Sequence, residues 1–292
     1  MTFIRTESGL ANYKHFFNAE ILFYIEGRCE SKTPIEDYSR ADSKFYKSLS
    51  KEFLGHENIK IKLVGNRKNA LDYLETINAK NTPSSYVWID KDYQDLTFSQ
   101  FPKSCNRLMT TYGYSWENDL WTTALCLDLV STITGDQGPV RAIANQKLHI
   151  AIKRLSILSS LNAAAHIDGR SIFKGKGKSK GINLNMNAFS PITKSEFSRI
   201  KNNAFQNEMC YVMRSVFSTA KTRPGCHTIQ GHLLEHVCLC IISHLFKTST
   251  GTSLKNNEIL KNIALSKLYE APKKYLQSNT YQHYHSEFSK IA

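Results

Sequence analysis

Two short apolar runs in this sequence each end on a carboxylate, and that pairing constrains the fold more than any other feature. Residues 21–25 (ILFYI) run into Glu26-Gly27, and residues 86–89 (YVWI) run into Asp90-Lys91-Asp92. Both runs are rich in β-branched and aromatic residues and are short enough to be strands. Between them the periodicity changes. Residues 40–54 predict a helix, with Phe45, Leu49 and Phe53 four apart. Residues 59–64 (IKIKLV) alternate apolar side chains with lysine, as a half-buried strand does. Residues 66–77 predict a second helix, with Ala70, Leu71, Leu74 and Ile77 on one face. Residues 108–111 predict a fourth strand, and Ser115 is the expected N-cap of a helix that begins Trp116-Glu117-Asn118-Asp119. Strand–helix–strand–helix–strand is the pattern of a parallel α/β sheet, which binds ligands outside the carboxyl ends of its strands. Both acidic motifs are therefore expected on the same edge of one sheet.

The remainder of the 292 residues has a different character. Residues 137–165, 192–220, 229–247 and 254–276 predict helices. Between the first two lies GRSIFKGKGKSKG (169–181), which reads as a flexible basic loop. The expected organisation is an α/β domain over 1–125 and a basic, mostly α-helical domain over 126–292. Charge divides along similar lines. Residues 1–120 hold 16 Lys and Arg against 16 Asp and Glu, whereas residues 121–292 hold 22 against 9, which is the whole net charge of +13. A neutral half with clustered acids beside a basic half suggests that one holds metal and the other a polyanion. No stretch approaches the roughly 20 consecutive apolar residues of a membrane span, and the N-terminus lacks a signal-peptide core. A soluble, cytoplasmic protein with no membrane partner is expected. Seven cysteines without a CxxC pair argue against a disulfide framework and against a zinc ribbon.

The chemistry is expected at the acids. On a strand, Asp90 and Asp92 would point to one face and Lys91 to the other. Mg²⁺ takes oxygen ligands and is usually held by one or two carboxylates together with phosphate oxygens. Glu26, from another strand, would complete such a site or act as a base. A metal there could polarise a phosphodiester and stabilise its attacking and leaving oxygens.

These residues resemble the Toprim fold, whose signature is a Glu after the first strand, usually followed by Gly, and an Asp-x-Asp after a later one. Ile25-Glu26-Gly27 and Ile89-Asp90-Lys91-Asp92 match it. A Toprim-like family of bacterial anti-phage nucleases, the PARIS effectors, adds a D..FY segment and a later (S/T)-x-E-N. Here Asp42 precedes Phe45-Tyr46, and Ser115-Trp116-Glu117-Asn118 follows. Residues 229–234 (IQGHLL) are similar to a further short segment of that family. The resemblance covers about residues 20–120. It implies catalytic and metal-binding roles for Glu26, Asp90 and Asp92, Mg²⁺ or Mn²⁺ as cofactor, and Glu117 as a further metal ligand. It also implies a partner ATPase of the ABC type (AriA-like) that holds the effector, cleavage of host tRNA on release, and a homodimer once released. The family spacing is stretched by residues 29–40, so Asp42 is equally expected to cap the helix that follows it.

Two other segments carry readings of their own. Lys174, Lys176, Lys178 and Lys180 alternate with Gly or Ser and are the expected substrate-binding lysines, settling on phosphates. His232-Leu-Leu-Glu235-His236 matches the HxxEH pattern of inverted zinc peptidases. The apolar helix around it makes ordinary helix histidines the preferred account, with His227 or His232 also a candidate neighbour of the phosphate. No GxxxxGK[ST] is present, so no P-loop is expected. The leading expectation is an RNA-cleaving nuclease. A DNA-cleaving Toprim nuclease and a non-catalytic module that binds the ATPase and nucleic acid are the alternatives.

Overall fold

The structure is a computed structural model that describes residues 20–27, 39–56, 58–94, 96, 105–136, 138–173, 175, 177–205 and 209–291. Its N-terminal half holds a four-stranded, all-parallel sheet formed by β1 (Ile21–Ile25), β2 (Ile59–Leu63), β3 (Ser85–Ile89) and β4 (Leu108–Thr110), in the order β2-β1-β3-β4. Helices α1 (Ala41–Leu54) and α2 (Arg67–Ala79) supply the first two crossovers. Every residue of β1 is buried, as expected of a central strand covered on both faces.

Alternation along the strands sends side chains to two cores. Leu22 and Tyr24 of β1 and Val87 and Ile89 of β3 meet Ala70, Leu74 and Ile77 of α2. On the opposite face, Phe23 and Ile25 meet Trp88, and that cluster continues through Phe45 and Leu49 of α1 into the helical half. Lys62 departs from the expected half-exposed strand. Paired with Tyr24, it shares the face that α2 covers and is only 2% exposed.

Helices dominate the rest: α3 (Trp116–Leu120), α4 (Thr123–Thr134), α5 (Pro139–His166), α6 (Lys194–Phe205), α7 (Tyr211–Thr222), α8 (Gly231–Thr250), α9 (Asn257–Glu270), α10 (Pro272–Tyr275) and α11 (Ser278–Phe288). The expected helix over 192–220 is therefore two helices, with Met209 and Cys210 outside both. The boundary expected after residue 125 falls inside α4. One apolar cluster runs from Ile21 in β1 to Phe288 in α11. In the segment 169–181, expected to be a flexible basic loop, no described residue lies in a helix or strand. Phe173 and Ile182 are buried in that cluster, and Lys180 N–H donates to Gly177 O.

Helix α11 lies beyond the helices expected from sequence. Its segment is polar, and only Thr280, Tyr284, Glu287 and Phe288 are buried. Those few contacts close the sheet. Phe288 packs edge-on against Phe23 (6.1 Å between ring centroids), and Tyr284 lies 5.9 Å from Trp88. Side chains of α11 also satisfy the edge strand β4. Glu287 accepts from Thr110 N–H (3.0 Å), His283 Nε2 meets Thr110 O (2.8 Å), and Lys290, just beyond the helix, donates to Leu108 O (3.1 Å). Such contacts occupy backbone groups that would otherwise invite another strand.

One buried carboxylate joins α11 to the loop after β4. Asp119 accepts from Tyr112 N–H (3.0 Å), Gly113 N–H (2.8 Å) and Tyr284 O–H (2.6 Å). Burial pushes its carboxyl up to about 7 against the pull of those donors. Between the ordinary carboxylate range and that value the folded state holds a proton that the unfolded chain has released. Stability from this group is therefore fully present below about pH 4 and is lost as pH rises through about 7. Asp119→Ala leaves buried donors without an acceptor and should cost roughly 3 kcal/mol in denaturant unfolding, against about 1 kcal/mol for Tyr284→Phe. Equal, negligible losses would show that the clamp does not hold α11 to the sheet.

Candidate metal centre

The strand order determines where the acids meet. The chain leaves β1 for β2 on one side and returns to β3 on the other, so the crevice between β1 and β3 is the topological switch point of the sheet. Register pairs Ile25 with Trp88, and Glu26 N–H donates to Trp88 O at 3.0 Å. Glu26 Oε2 accepts from Asp90 N–H at 3.3 Å. The two motifs that the sequence separates thus share one edge. Gly27 follows Glu26 for a steric reason: a Cβ there would lie 2.9 Å from Asp42 Oδ2 and 3.0 Å from Leu63 Cδ2. Asp42 itself is not the N-cap of α1. Arg40 takes that position, and Asp42, in the first turn, accepts from Ser43 N–H (2.9 Å) and pairs with the Arg40 guanidinium (3.0 Å).

The Asp-x-Asp segment does not have the expected strand alternation. Strand β3 ends at Ile89, and Asp92 has φ 51, in the left-handed region. A turn, rather than a pleat, positions the two carboxylates. Side chain and backbone of the next strand's loop hold that turn: Lys91 N–H donates to Thr111 Oγ1 (3.0 Å) and Asp92 N–H to Tyr114 O (2.8 Å). The Tyr114 hydroxyl also bonds the Asp92 carboxylate.

Arg67, which the sequence reading did not single out, bridges the acids. It opens α2 behind the N-cap Asn66. Its guanidinium lies 3.8 Å from Glu26 Oε2 and 3.2 Å from Asp92 Oδ2, and it donates to the Asp90 carbonyl oxygen. Even so, burial keeps the carboxyls of Glu26 and Asp92 above their ordinary range, with Arg67 acting in the opposite direction. Asp90 is pushed well up, first by burial and then by Glu117, Glu26 and Asp92. Burial is thus the largest influence on these carboxyls, and Asp90 in addition feels the other three acids of the crevice.

Glu117 behaves differently. Burial raises its pKa, but His232 and Ser115 outweigh burial, and its carboxyl ends below the ordinary range. Its Oε1 meets His232 Nδ1 at 2.8 Å, and its Oε2 accepts from Ser115 O–H at 2.6 Å. Ser115 is the N-cap expected from sequence, although its hydroxyl serves Glu117. The start of α8 comes so close here that a Cβ on Gly231 would lie 1.9 Å from Ser115 Oγ and 2.7 Å from Glu117 Oε2. The positive end of that helix thus faces the carboxylate, and the exposed His232 stands at the rim.

The other segments go elsewhere. Glu235 is buried, where it pairs with Lys261 (2.9 Å) and accepts from Trp121 Nε1 (3.3 Å), so it lies in a structural ion pair. His236 lies against Cys240 Sγ (3.7 Å) and feels the charge of Lys178. Lys180 lines a cavity bordered by α5, α6 and α7. Lys174 and Lys176 lie outside the described residues. Six cysteines are free thiols among the described residues. There, no helix is long and apolar enough to cross a membrane.

Among the described residues, no three His, Cys, Asp or Glu side chains are close enough to hold a metal ion as they stand. The chemistry of the donor set nevertheless fits a hard divalent cation, since oxygen-only carboxylate sites favour Mg²⁺ or Mn²⁺. The Arg67 guanidinium supplies positive charge between Glu26 and Asp92. No protein-family model matches this chain, and no curated protein is similar to it in sequence.

The raised carboxyls make the crevice costly to the fold at neutral pH. A carboxyl raised by folding contributes stability that is lost as pH climbs above the ordinary carboxylate range. Asp90→Asn should therefore raise Tm at pH 8 by roughly 2–4 °C, about 1 kcal/mol in a protein of this size, and leave it unchanged at pH 4. A lower Tm at pH 8 would mean that the carboxylates do not repel. Gly231→Ala should cost about 1–3 kcal/mol through overpacking, whereas Gly251→Ala, which meets no neighbour within 4 Å, should cost only its φ strain.

Proposed function

We propose that this chain is a divalent-metal-dependent nuclease of the Toprim-like kind. In this reading it is an anti-phage defence effector resembling AriB of the PARIS system. It is held by an AriA-like ABC-type ATPase, and once released, as a homodimer, it cleaves host tRNA and arrests translation. The observation that carries the chemical part of the reading is the crevice itself. Glu26, Asp90 and Asp92 stand at the carboxyl ends of neighbouring parallel strands, at the switch point of the sheet, with Asp90 pushed well up by burial and by its acidic neighbours. The defence, tRNA and partner assignments are supported by the sequence motifs at 25–27, 42–46, 89–92 and 115–118.

Glu26, Asp90 and Asp92 would hold Mg²⁺ or Mn²⁺, and Glu117 stands next to Asp90 in the same field. The bound ion supplies Lewis-acid polarisation of the phosphodiester and stabilises charge on its attacking and leaving oxygens. The chain's own residues do the remaining work. Arg67 can move from the carboxylates to a phosphate oxygen, since a guanidinium suits bidentate pairing with either. Glu117 orients His232 through Nδ1, which places an exposed imidazole at the rim for proton transfer. Net positive charge concentrated in residues 121–292 attracts the polyanion without reading its sequence.

The test is cleavage of purified tRNA and of plasmid, with Mg²⁺, Mn²⁺ or EDTA. The wild-type chain is expected to cut tRNA only with metal. Glu26→Gln, Asp90→Asn and Asp92→Asn should each reduce the rate by at least about a hundredfold in folded protein. Plasmid cutting without tRNA cutting would move the reading to a DNA nuclease. No cutting of either would favour a binding module.

For the helical half the nuclease reading makes forecasts that a zinc peptidase would contradict. Glu235→Gln should lower stability, because Lys261 loses its buried partner, yet keep cleavage. Elemental analysis should find no stoichiometric zinc. One zinc per chain together with an inactive Glu235→Gln protein would overturn the nuclease assignment.

A further inference from the structure

A cavity of about 580 Å³ lies beside the acidic crevice, within the size range of small-ligand sites. It is bounded by the end of α5, the turn before residue 181, α6 and the start of α7. Its lining divides by chemistry. Arg170, Lys180 and Arg199 contribute three cations, and no carboxylate lines it among the described residues. Phe173, Ile200 and Met213 contribute an apolar floor. Arg199 is held in place by a paired contact with Glu196 (2.7 Å), and Arg170 by Asp168 (2.8 Å), both outside the lining. The cavity thus offers apolar surface beside three cationic side chains, two of them ion-paired.

Its walls are physically continuous with the acidic turn. Asn162 Nδ2 donates to the hydroxyl of Tyr93, the residue after Asp92 (3.1 Å). Its Oδ1 accepts from Ser171 O–H (2.9 Å) and Ile172 N–H (3.0 Å), two lining residues. Ala165 and Met213, also in the lining, pack in one apolar cluster with Tyr93 and Tyr114. His166, next to Ala165, draws the Asp92 carboxyl down and lies 5.7 Å from the Tyr93 ring.

We propose that this cavity receives one unpaired nucleotide of the substrate strand, its base on the apolar floor and its phosphate at Arg170, Lys180 and Arg199. The proposal rests on the nuclease reading. A base inside a duplex reaches such a site only by flipping out of its stack, at a cost in free energy, so the cavity favours single-stranded or looped nucleic acid. Purely electrostatic binding by the basic half would make no such selection.

The experiment measures binding in EDTA, where cleavage is silent. The probe is a short single-stranded RNA with one 2-aminopurine, whose fluorescence reports the surroundings of that base. The same strand with an abasic site, its duplex, and free adenosine monophosphate serve as comparisons. Wild-type protein should bind the single strand and shift its fluorescence. Ala204→Trp, which places an indole in the cavity, and Lys180→Gly should each weaken that binding at least about fivefold, the lower end of base–aromatic stacking effects. Lys180 has φ 52, a backbone that glycine adopts freely, so that variant keeps its fold. Equal affinity for the abasic strand, or unchanged affinity in folded Ala204→Trp and Lys180→Gly, would overturn the proposal. Free adenosine monophosphate binding as tightly as the strand would overturn it too, because the cavity would then serve a free nucleotide. A wild-type chain that binds the strand this way but cuts nothing would leave the cavity assignment standing and remove the nuclease one.

Discussion

The structure is organised around the burial of four carboxyls, Glu26, Asp90, Asp92 and Glu117, and around the repulsion that Asp90 feels from the other three. A parallel sheet with this order cannot place the carboxyl ends of β1 and β3 apart, so any acids that follow those strands are pressed together. The neighbouring structure answers that repulsion. Arg67 bridges two of the carboxylates. His232 and the start of α8 relieve a third, which is why Glu117 alone has its pKa lowered. Asp90 receives the least relief and is pushed well up. A crevice that stays acidic at a cost to the fold is more readily explained by a cationic ligand than by stability.

That arrangement also explains why the two halves of the chain share one core. The crevice needs α8 at Glu117, α5 at Asp92 through His166, and α11 behind the sheet at Trp88. The helical half is part of the site, because without it Glu117 would be a buried charge with no imidazole and Tyr93 would lose Asn162. Gly27, Gly113 and Gly231 mark three places where backbone and carboxylate approach too closely for a side chain.

Strands β1 and β3 were legible because they are largely buried on both faces and read as unbroken apolar runs ending in acid. Four features were not legible, each for a physical reason. The Asp90–Asp92 turn uses a left-handed residue, which a strand pattern cannot signal. Arg67 looks like any arginine in the first turn of a helix, and only the fold brings it to Glu26. The contact of Glu117 with His232 joins residues far apart in the chain, so no local spacing could announce it, although both had been marked separately. Helix α11 was missed because a helix that buries Tyr284 and Phe288 within a polar segment has too little apolar periodicity to stand out.

The central claim is that this crevice binds a divalent cation through carboxylate oxygen. Titration calorimetry with Mn²⁺ tests it without any assumption about substrate. The wild-type chain should bind Mn²⁺ in a saturable manner, and binding should be lost in a Glu26→Gln/Asp92→Asn double variant that melts cooperatively. Mn²⁺ affinity that is the same in both proteins, or no saturable binding to the wild type, would contradict the account.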